Sequence, residues 1–94
     1  MPAFLMLGKY TSHATQGISK ARTKQIDSLI RECGGEMKDI YGLLGAFDLA
    51  IISDFPDNGS AIRTSLSLTK MTGITFSTLP AVRIDEFENL VCDI

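Results

Sequence analysis

The stretch from Leu43 to Ile52 constrains the fold of this 94-residue chain more than any other. It places Gly45 between two strand-forming runs, and glycine readily takes the positive φ that a tight hairpin needs. The run after Gly45 is too apolar for a solvated position, so it predicts a strand at the centre of a sheet. Asp48 interrupts this run near its start, and its carboxylate is therefore the first candidate for a functional group.

Length and composition predict one domain, residues 1–94, with apolar surface to spare. A chain this small buries only about 60–65% of its unfolded surface, yet 45% of its residues are hydrophobic and the mean hydropathy is +0.16. Some of that apolar surface is then available to a partner. The net charge of −2 and the isoelectric point near 5.2 argue against nucleic acid as that partner.

The cysteines and the single histidine predict no metal site and no disulfide framework. Cys33 and Cys92 belong to no CxxC pair, and His13 is distant from both. We interpret both as buried, reduced thiols. The chain carries no phosphate-binding, dinucleotide-binding or zinc-protease motif, so we expect no cofactor.

Hydropathy predicts a protein away from membranes. No apolar run approaches the ~18 residues of a membrane span, and the first residues lack the basic region of a signal peptide. The expectation is a soluble, cytoplasmic protein.

The periodicity of apolar residues predicts four strands and three helices. Strands are predicted at 3–10, 37–43, 47–55 and 74–82, each bounded by turn residues. Helices are predicted at 18–33, from a cap at Asp57 or Asn58 to about Thr72, and from Asp85 onward. The order β-α-β-β-α-β with a short C-terminal helix is the α+β, ferredoxin-like pattern with a four-stranded antiparallel sheet. Pro80 then falls on an edge strand, where proline is tolerated.

The two predicted central strands are apolar on both faces. An antiparallel sheet with helices on one side normally alternates apolar and polar residues, but residues 3–10 and 47–55 turn polar only near their ends. Two helices can cover one face, and the other is left for a second copy of the same sheet. A homodimer is the leading expectation.

Five short segments together resemble the GYD-domain family of small, mostly bacterial proteins: LGKYT (7–11), GG (34–35), GAFD (45–48), TLPAV (78–82) and DEF (85–87). The family motif is Gly-x-Tyr-Asp, and here Phe47 keeps the aromatic ring of the tyrosine without its hydroxyl. The resemblance implies a ferredoxin-like fold of the dimeric α/β-barrel kind, a group that includes cofactor-free monooxygenases, isomerases and small-ligand binders.

Three side chains are candidates for proton transfer. Asp48 suits a general base or acid in an apolar setting, although a structural role, capping backbone N–H groups or pairing with a lysine, is the interpretation that the sequence favours. His13 follows the first strand in a predicted loop, and histidine is the side chain whose unperturbed pKa lies near neutrality. Tyr41, beside Gly42, could present its phenol to a cavity, or lie partly buried in the core.

Four further residues are candidates for ligand binding: Lys9, Tyr10, Phe47 and Arg83. Lys9 and Tyr10 end the first strand, and we expect them near Asp54 and Phe55 rather than near Asp48. Arg83 ends the fourth strand and could hold an anion.

Three functions remain open. The first is a module that binds a small aromatic or anionic molecule in a cavity of the dimer. The second is a cofactor-independent isomerase or monooxygenase using Asp48, His13 or Tyr41, and the third is a ligand-free assembly or adaptor protein. The scarcity of convergent polar groups slightly favours the first.

Overall fold

A computed structural model describes residues 1–92 of the chain and their side chains as far as Val91. The strands are β1 (Ala3–Lys9), β2 (Glu36–Gly42), β3 (Leu49–Asp54) and β4 (Thr75–Ala81). The helices are α1 (Ser12–Gln16), α2 (Lys20–Glu32), α3 (Asn58–Thr72) and α4 (Ile84–Cys92). Apart from α1, this is the predicted order, and it confirms the ferredoxin-like α+β fold.

The four strands form one antiparallel sheet in the order β2-β3-β1-β4. The two most apolar strands, β1 and β3, are central, as predicted. Pro80 lies on the edge strand β4, where its missing N–H removes no inner hydrogen bond. A bulge between Met37 and Asp39 interrupts the pairing of β2 with β3.

Local capping signals fix the ends of the two long helices. The Ser19 hydroxyl accepts the N–H of Arg22 at the start of α2, 3.1 Å away. The Asp57 carboxylate accepts the N–H of Ser60 at the start of α3, 2.7 Å away. The hydrogen bonds from the backbone and the side chain of Ser60 hold the pKa of Asp57 below its ordinary value of 3.8. Gly73 ends α3 with a φ of +78°.

The short helix α1 was not predicted. Its five residues, SHATQ, are fewer than two helical turns and carry no periodic apolar pattern. The Thr11 hydroxyl caps it by accepting the N–H of Ala14 at 3.0 Å, and Ala14 is buried. His13 therefore lies on a helix rather than in a loop.

The hydrophobic core lies between the helices and one face of the sheet. We call this the covered face; its residues in the two central strands are Phe4, Met6, Gly8, Leu49, Ile51 and Ser53. Phe55 continues the core beyond β3, with its ring edge-to-face on Phe4 at 5.7 Å between centroids. Ile26 and Ile30 of α2 and Ala61 and Leu68 of α3 close the core from above.

Among residues 1–92, no helix covers the opposite face of the sheet, which we call the open face. Its residues, which the strand register places on one side, are Ala3, Leu5, Leu7 and Lys9 of β1, Asp39 and Tyr41 of β2, Ala50, Ile52 and Asp54 of β3, and Thr75, Ser77, Leu79 and Ala81 of β4. Its centre is aliphatic, with Leu5 paired to both Ile52 and Leu79. The predicted doubly apolar character of the central strands is confirmed.

The hairpin between β2 and β3 turns at Gly45, whose φ of +139° confirms the predicted need for glycine. The strand after it begins at Leu49 rather than Phe47. Elsewhere, Cys33 is free and half-buried, while the side chain of Cys92 lies outside the described residues. Within residues 1–92, no helix has the length and apolar character needed to cross a bilayer.

Candidate functional site

Asp48 joins the end of β1 to the β2–β3 hairpin. Its carboxylate Oδ2 accepts the N–H of Tyr10 at 2.8 Å. Its own N–H donates to the carbonyl of Gly8, and its carbonyl accepts the N–H of Leu43, each at 2.9 Å. The side chain thus takes the place of the next backbone acceptor of the sheet, and β3 begins at Leu49, directly after Asp48. The structural role that the sequence favoured for Asp48 is present.

The expected separation of Tyr10 from Asp48 is wrong. Antiparallel strands place the end of one beside the start of the other, and the register pairs Gly8 with Leu49 and Ala3 with Asp54. Lys9 and Tyr10 therefore lie at the Asp48 end of β3, a strand's length from Asp54.

Arg22 packs on the ring of Tyr10 and was not predicted. The guanidinium Cζ lies 5.1 Å from the ring centroid, within cation–π range, and the same guanidinium donates to the carbonyl of Ala14. Arg22 thereby ties α1, α2 and the Tyr10 ring together. The sequence distinguishes Arg22 only as part of the basic segment 20–24. Its contact with Tyr10 follows from the three-dimensional structure.

A cleft opens beside this junction, and we call it the Tyr10–Asp48 cleft. Its volume is about 680 Å³, and its lining residues are Tyr10, Thr15, Ile18, Gly42, Leu43, Leu44 and Asp48. This volume is in the ~300–1,000 Å³ range of small-molecule sites. Ile18, Leu43 and Leu44 are exposed around the half-buried Asp48, so the cleft combines aliphatic walls with one carboxylate.

Asp48 keeps one carboxylate oxygen available to a ligand. The hydrogen bonds found among residues 1–92 use Oδ2 and leave Oδ1 without a protein donor. The site can therefore accept a hydrogen bond from a neutral or cationic donor group. A ligand carboxylate would meet this negative charge directly.

The other candidate residues lie away from the cleft. His13 is exposed on α1, and Tyr41 is exposed on the open face of the edge strand β2, opposite Ala50. Of the three candidates for proton transfer, the structure places Asp48 alone in the cleft. Among the described residues, no three His, Cys, Asp or Glu side chains are grouped so as to hold a metal ion.

The four ligand-binding candidates also separate. Tyr10 lines the cleft, Phe47 is half-buried next to Asp48 in the chain, and Lys9 is exposed at the same end of the open face. Arg83 is exposed at the opposite end of the sheet, with its Nε 3.6 Å from Oδ1 of Asp85.

Two further clefts were not predicted. One, of about 780 Å³, lies between α4 and the open face, with Phe87 and Glu86 on one side and Ala3, Asp54 and Ala81 on the other. A smaller one, of about 290 Å³, separates α3 from β4 above Phe4 and Phe76. In the smaller cleft the hydroxyls of Ser65 and Thr78 are 2.6 Å apart.

Comparison with known proteins identifies the family. The model of the GYD domain matches residues 4–91, nearly the whole chain. Comparisons with curated proteins and with solved structures give no match. The matched region includes both the Tyr10–Asp48 junction and the doubly apolar central strands, and the chain therefore belongs to the GYD-domain family.

Proposed function

We propose that this protein is a homodimer that binds a small aromatic molecule in the Tyr10–Asp48 cleft of each subunit. The observation that carries the proposal is the cleft itself, in which exposed aliphatic walls surround an available carboxylate oxygen. A ring packed on Ile18 and Leu43 would bury apolar surface, and a hydroxyl or amine on that ring would donate to Asp48.

The open face supports the homodimer. The half-buried Leu5, Leu7 and Ile52 and the exposed Leu79 form a continuous aliphatic centre that no helix among the described residues covers. Contiguous apolar surface left open in this way marks protein interfaces, and two copies of one face can pack symmetrically.

The charge of the cleft selects among aromatic ligands. Asp48 attracts a cationic or neutral donor and repels an anion, so the aromatic rather than the anionic ligand is the better fit. The cofactor-independent enzyme is less well supported, because His13 and Tyr41 lie outside the cleft and proton-transfer catalysis normally needs several convergent groups.

Three ligands with the same ring test the proposal: tyramine, p-cresol and 4-hydroxybenzoate, which carry a cation, no charge and an anion. We expect tyramine to raise the melting temperature most in a thermal-shift assay, p-cresol less, and 4-hydroxybenzoate least. Asp48→Asn should reduce the tyramine shift to that of p-cresol, because the amide keeps an acceptor without the charge.

Glu32→Gln is the matched control, since Glu32 is an exposed carboxylate at the C-terminal end of α2 that lines neither the cleft nor the open face, and it should leave the tyramine shift unchanged. If none of the three compounds shifts the wild type, the ligand-binding function is wrong and the ligand-free adaptor takes its place.

A further inference from the structure

We propose that α4 of one subunit closes the Tyr10–Asp48 cleft of its partner, so that each binding site is completed by the second copy. The proposal extends the homodimer proposed above and assigns a role to a helix that the binding function leaves unused.

Among the described residues, the apolar stripe of α4 stays exposed in its own subunit. Ile84, Phe87, Leu90 and Val91 recur at helical spacing and are 50–70% exposed. Asp85, Glu86 and Glu88 make the rest of the helix acidic. All described residues from 79 to 91 are exposed. An amphipathic helix in this state is stabilised only when another surface covers its stripe.

The helix α4 borders one end of the open face. Only Val82 and Arg83 separate it from β4. The 780 Å³ cleft runs between Phe87 of the helix and the open-face residues Ala3, Asp54 and Ala81. The open face and α4 thus form one concave surface at the end of the sheet opposite the Tyr10–Asp48 cleft.

The area that a stable dimer needs indicates that the sheet does not act alone. Four strands about 4.8 Å apart and about 20 Å long cover roughly 400 Å², while a specific interface buries about 800 Å² on each partner. A helix of nine residues is about 13 Å long. In a symmetric dimer α4 adds contact area twice for each subunit, once as the covering helix and once beneath the helix of the partner.

Charge selects the direction in which the two sheets pack. At the α4 end, acidic groups outnumber basic ones: Glu36, Asp39, Asp54, Asp85, Glu86 and Glu88 against Arg83, the amino terminus of Met1, and Lys38, which pairs with Glu36 and Asp54. At the other end the open face carries Lys9. A two-fold axis along the strands would place the two acidic ends together, whereas an axis across the strands places each acidic end over Lys9 of the partner.

The axis across the strands brings α4 to the cleft. At the Lys9 end of the sheet, Leu43, the fully exposed Leu44 and Ile18 line the cleft together with Asp48. The apolar stripe of α4 then covers these three aliphatic side chains, and its acidic side lies beside Lys9. Both unpartnered apolar surfaces are buried by one symmetric contact.

Disulfide cross-linking between different subunits tests this arrangement. In a Cys33→Ser, Cys92→Ser background, protein carrying Leu44→Cys is mixed with protein carrying Leu90→Cys, allowed to exchange subunits, and oxidised. We expect a covalent dimer that forms at least tenfold faster than the one from Ile62→Cys with Leu90→Cys. Ile62 is a matched control, because it is an exposed aliphatic residue on α3, away from the cleft.

Light scattering of the same background protein separates the possible failures. A monomer overturns both this proposal and the homodimer. A dimer in which the 44–90 bond forms no faster than the 62–90 bond overturns the role of α4 alone, and leaves the ligand-binding dimer standing.

Discussion

The two faces of the sheet belong to the same strands but differ in how deeply their side chains are buried. On the covered face, Met6 and Ile51 are completely buried under α2 and α3. On the open face, their neighbours Leu5 and Ile52 remain half-exposed and Leu79 is 47% exposed. The strands β1 and β3 therefore carry two apolar patterns. One is buried within the subunit, and the other is left for a second surface to cover. Substitutions on the two faces should therefore affect different equilibria.

The largest effect is expected for Phe55→Ala. Phe55 is fully buried and packs edge-to-face on Phe4, so its loss leaves a cavity and lowers the free energy of unfolding by about 3–5 kcal/mol. Urea denaturation followed by circular dichroism measures this. Leu5→Ala is the open-face counterpart, and it should lower the free energy of unfolding less. An equal loss at low protein concentration would contradict the difference between the two faces.

Leu79→Lys should separate the subunits without unfolding them. The residue lies on the open face of an edge strand. A two-fold dimer contains two copies of this side chain, and burial of each contributes about 1.5 kcal/mol or more to the binding free energy. The dissociation constant of the dimer should rise roughly 100-fold. Analytical ultracentrifugation measures it, with Ile62→Lys as the control; a shift of the same size in the control would show that any added lysine suffices.

Asp48→Ala should cost about 1–2 kcal/mol of subunit stability, because the N–H of Tyr10 loses its acceptor. Asp48→Asn keeps an acceptor and should lose less. Thermal denaturation without ligand measures both. Equal losses for the two variants would show that the charge, rather than the hydrogen bond, holds the end of the sheet.

Ser53→Ala should stabilise the subunit by about 1 kcal/mol. Ser53 is fully buried on the covered face, and among the described residues its hydroxyl finds no hydrogen-bond partner. Removing an unsatisfied hydroxyl removes its desolvation penalty. Chemical denaturation measures the gain, and a loss of stability would mean that the hydroxyl is satisfied.

The smallest expected effect concerns the cap of α3. The pKa of Asp57 is lowered by the hydrogen bond from Ser60, so its contribution is present above its unfolded pKa and is lost as the pH falls through the folded value. The difference in melting temperature between wild type and Asp57→Ala should thus be constant near neutral pH and shrink below pH 3.8. A difference that stays constant down to pH 2 would assign the effect to something other than the ionised carboxylate.

The regular elements could be predicted because their signals are local. Apolar spacing located α2 and all four strands, and Asp57 and Gly73 marked the ends of α3. The five-residue α1 was missed because its stability comes from Thr11, Arg22 and the buried Ala14 rather than from a repeated pattern. The apolar Met71 of α3 is exposed, since hydrophobicity alone does not tell which side of a helix meets the sheet.

The candidate site was predictable only in part. Asp48 and Tyr10 were each singled out, but their contact was not, because it depends on the strand register rather than on the sequence between them. Arg22 lay in the basic segment 20–24 and Ile18 in the predicted helix 18–33, but nothing in the sequence marked either of them, or Leu44, as a site residue. They become a site because α1, α2 and the hairpin converge at one end of the sheet.

The sequence by itself determined the order of the elements, the central place of β1 and β3, and the apolar character of both faces. Propensity, capping and periodicity act over a few residues, and these can be read along the chain. The tertiary structure decided which apolar residues are buried and that the Asp48 carboxylate accepts the N–H of Tyr10. It also decided that α4 extends from β4 without covering its own sheet. These depend on contacts between residues far apart in the chain, which no local pattern specifies.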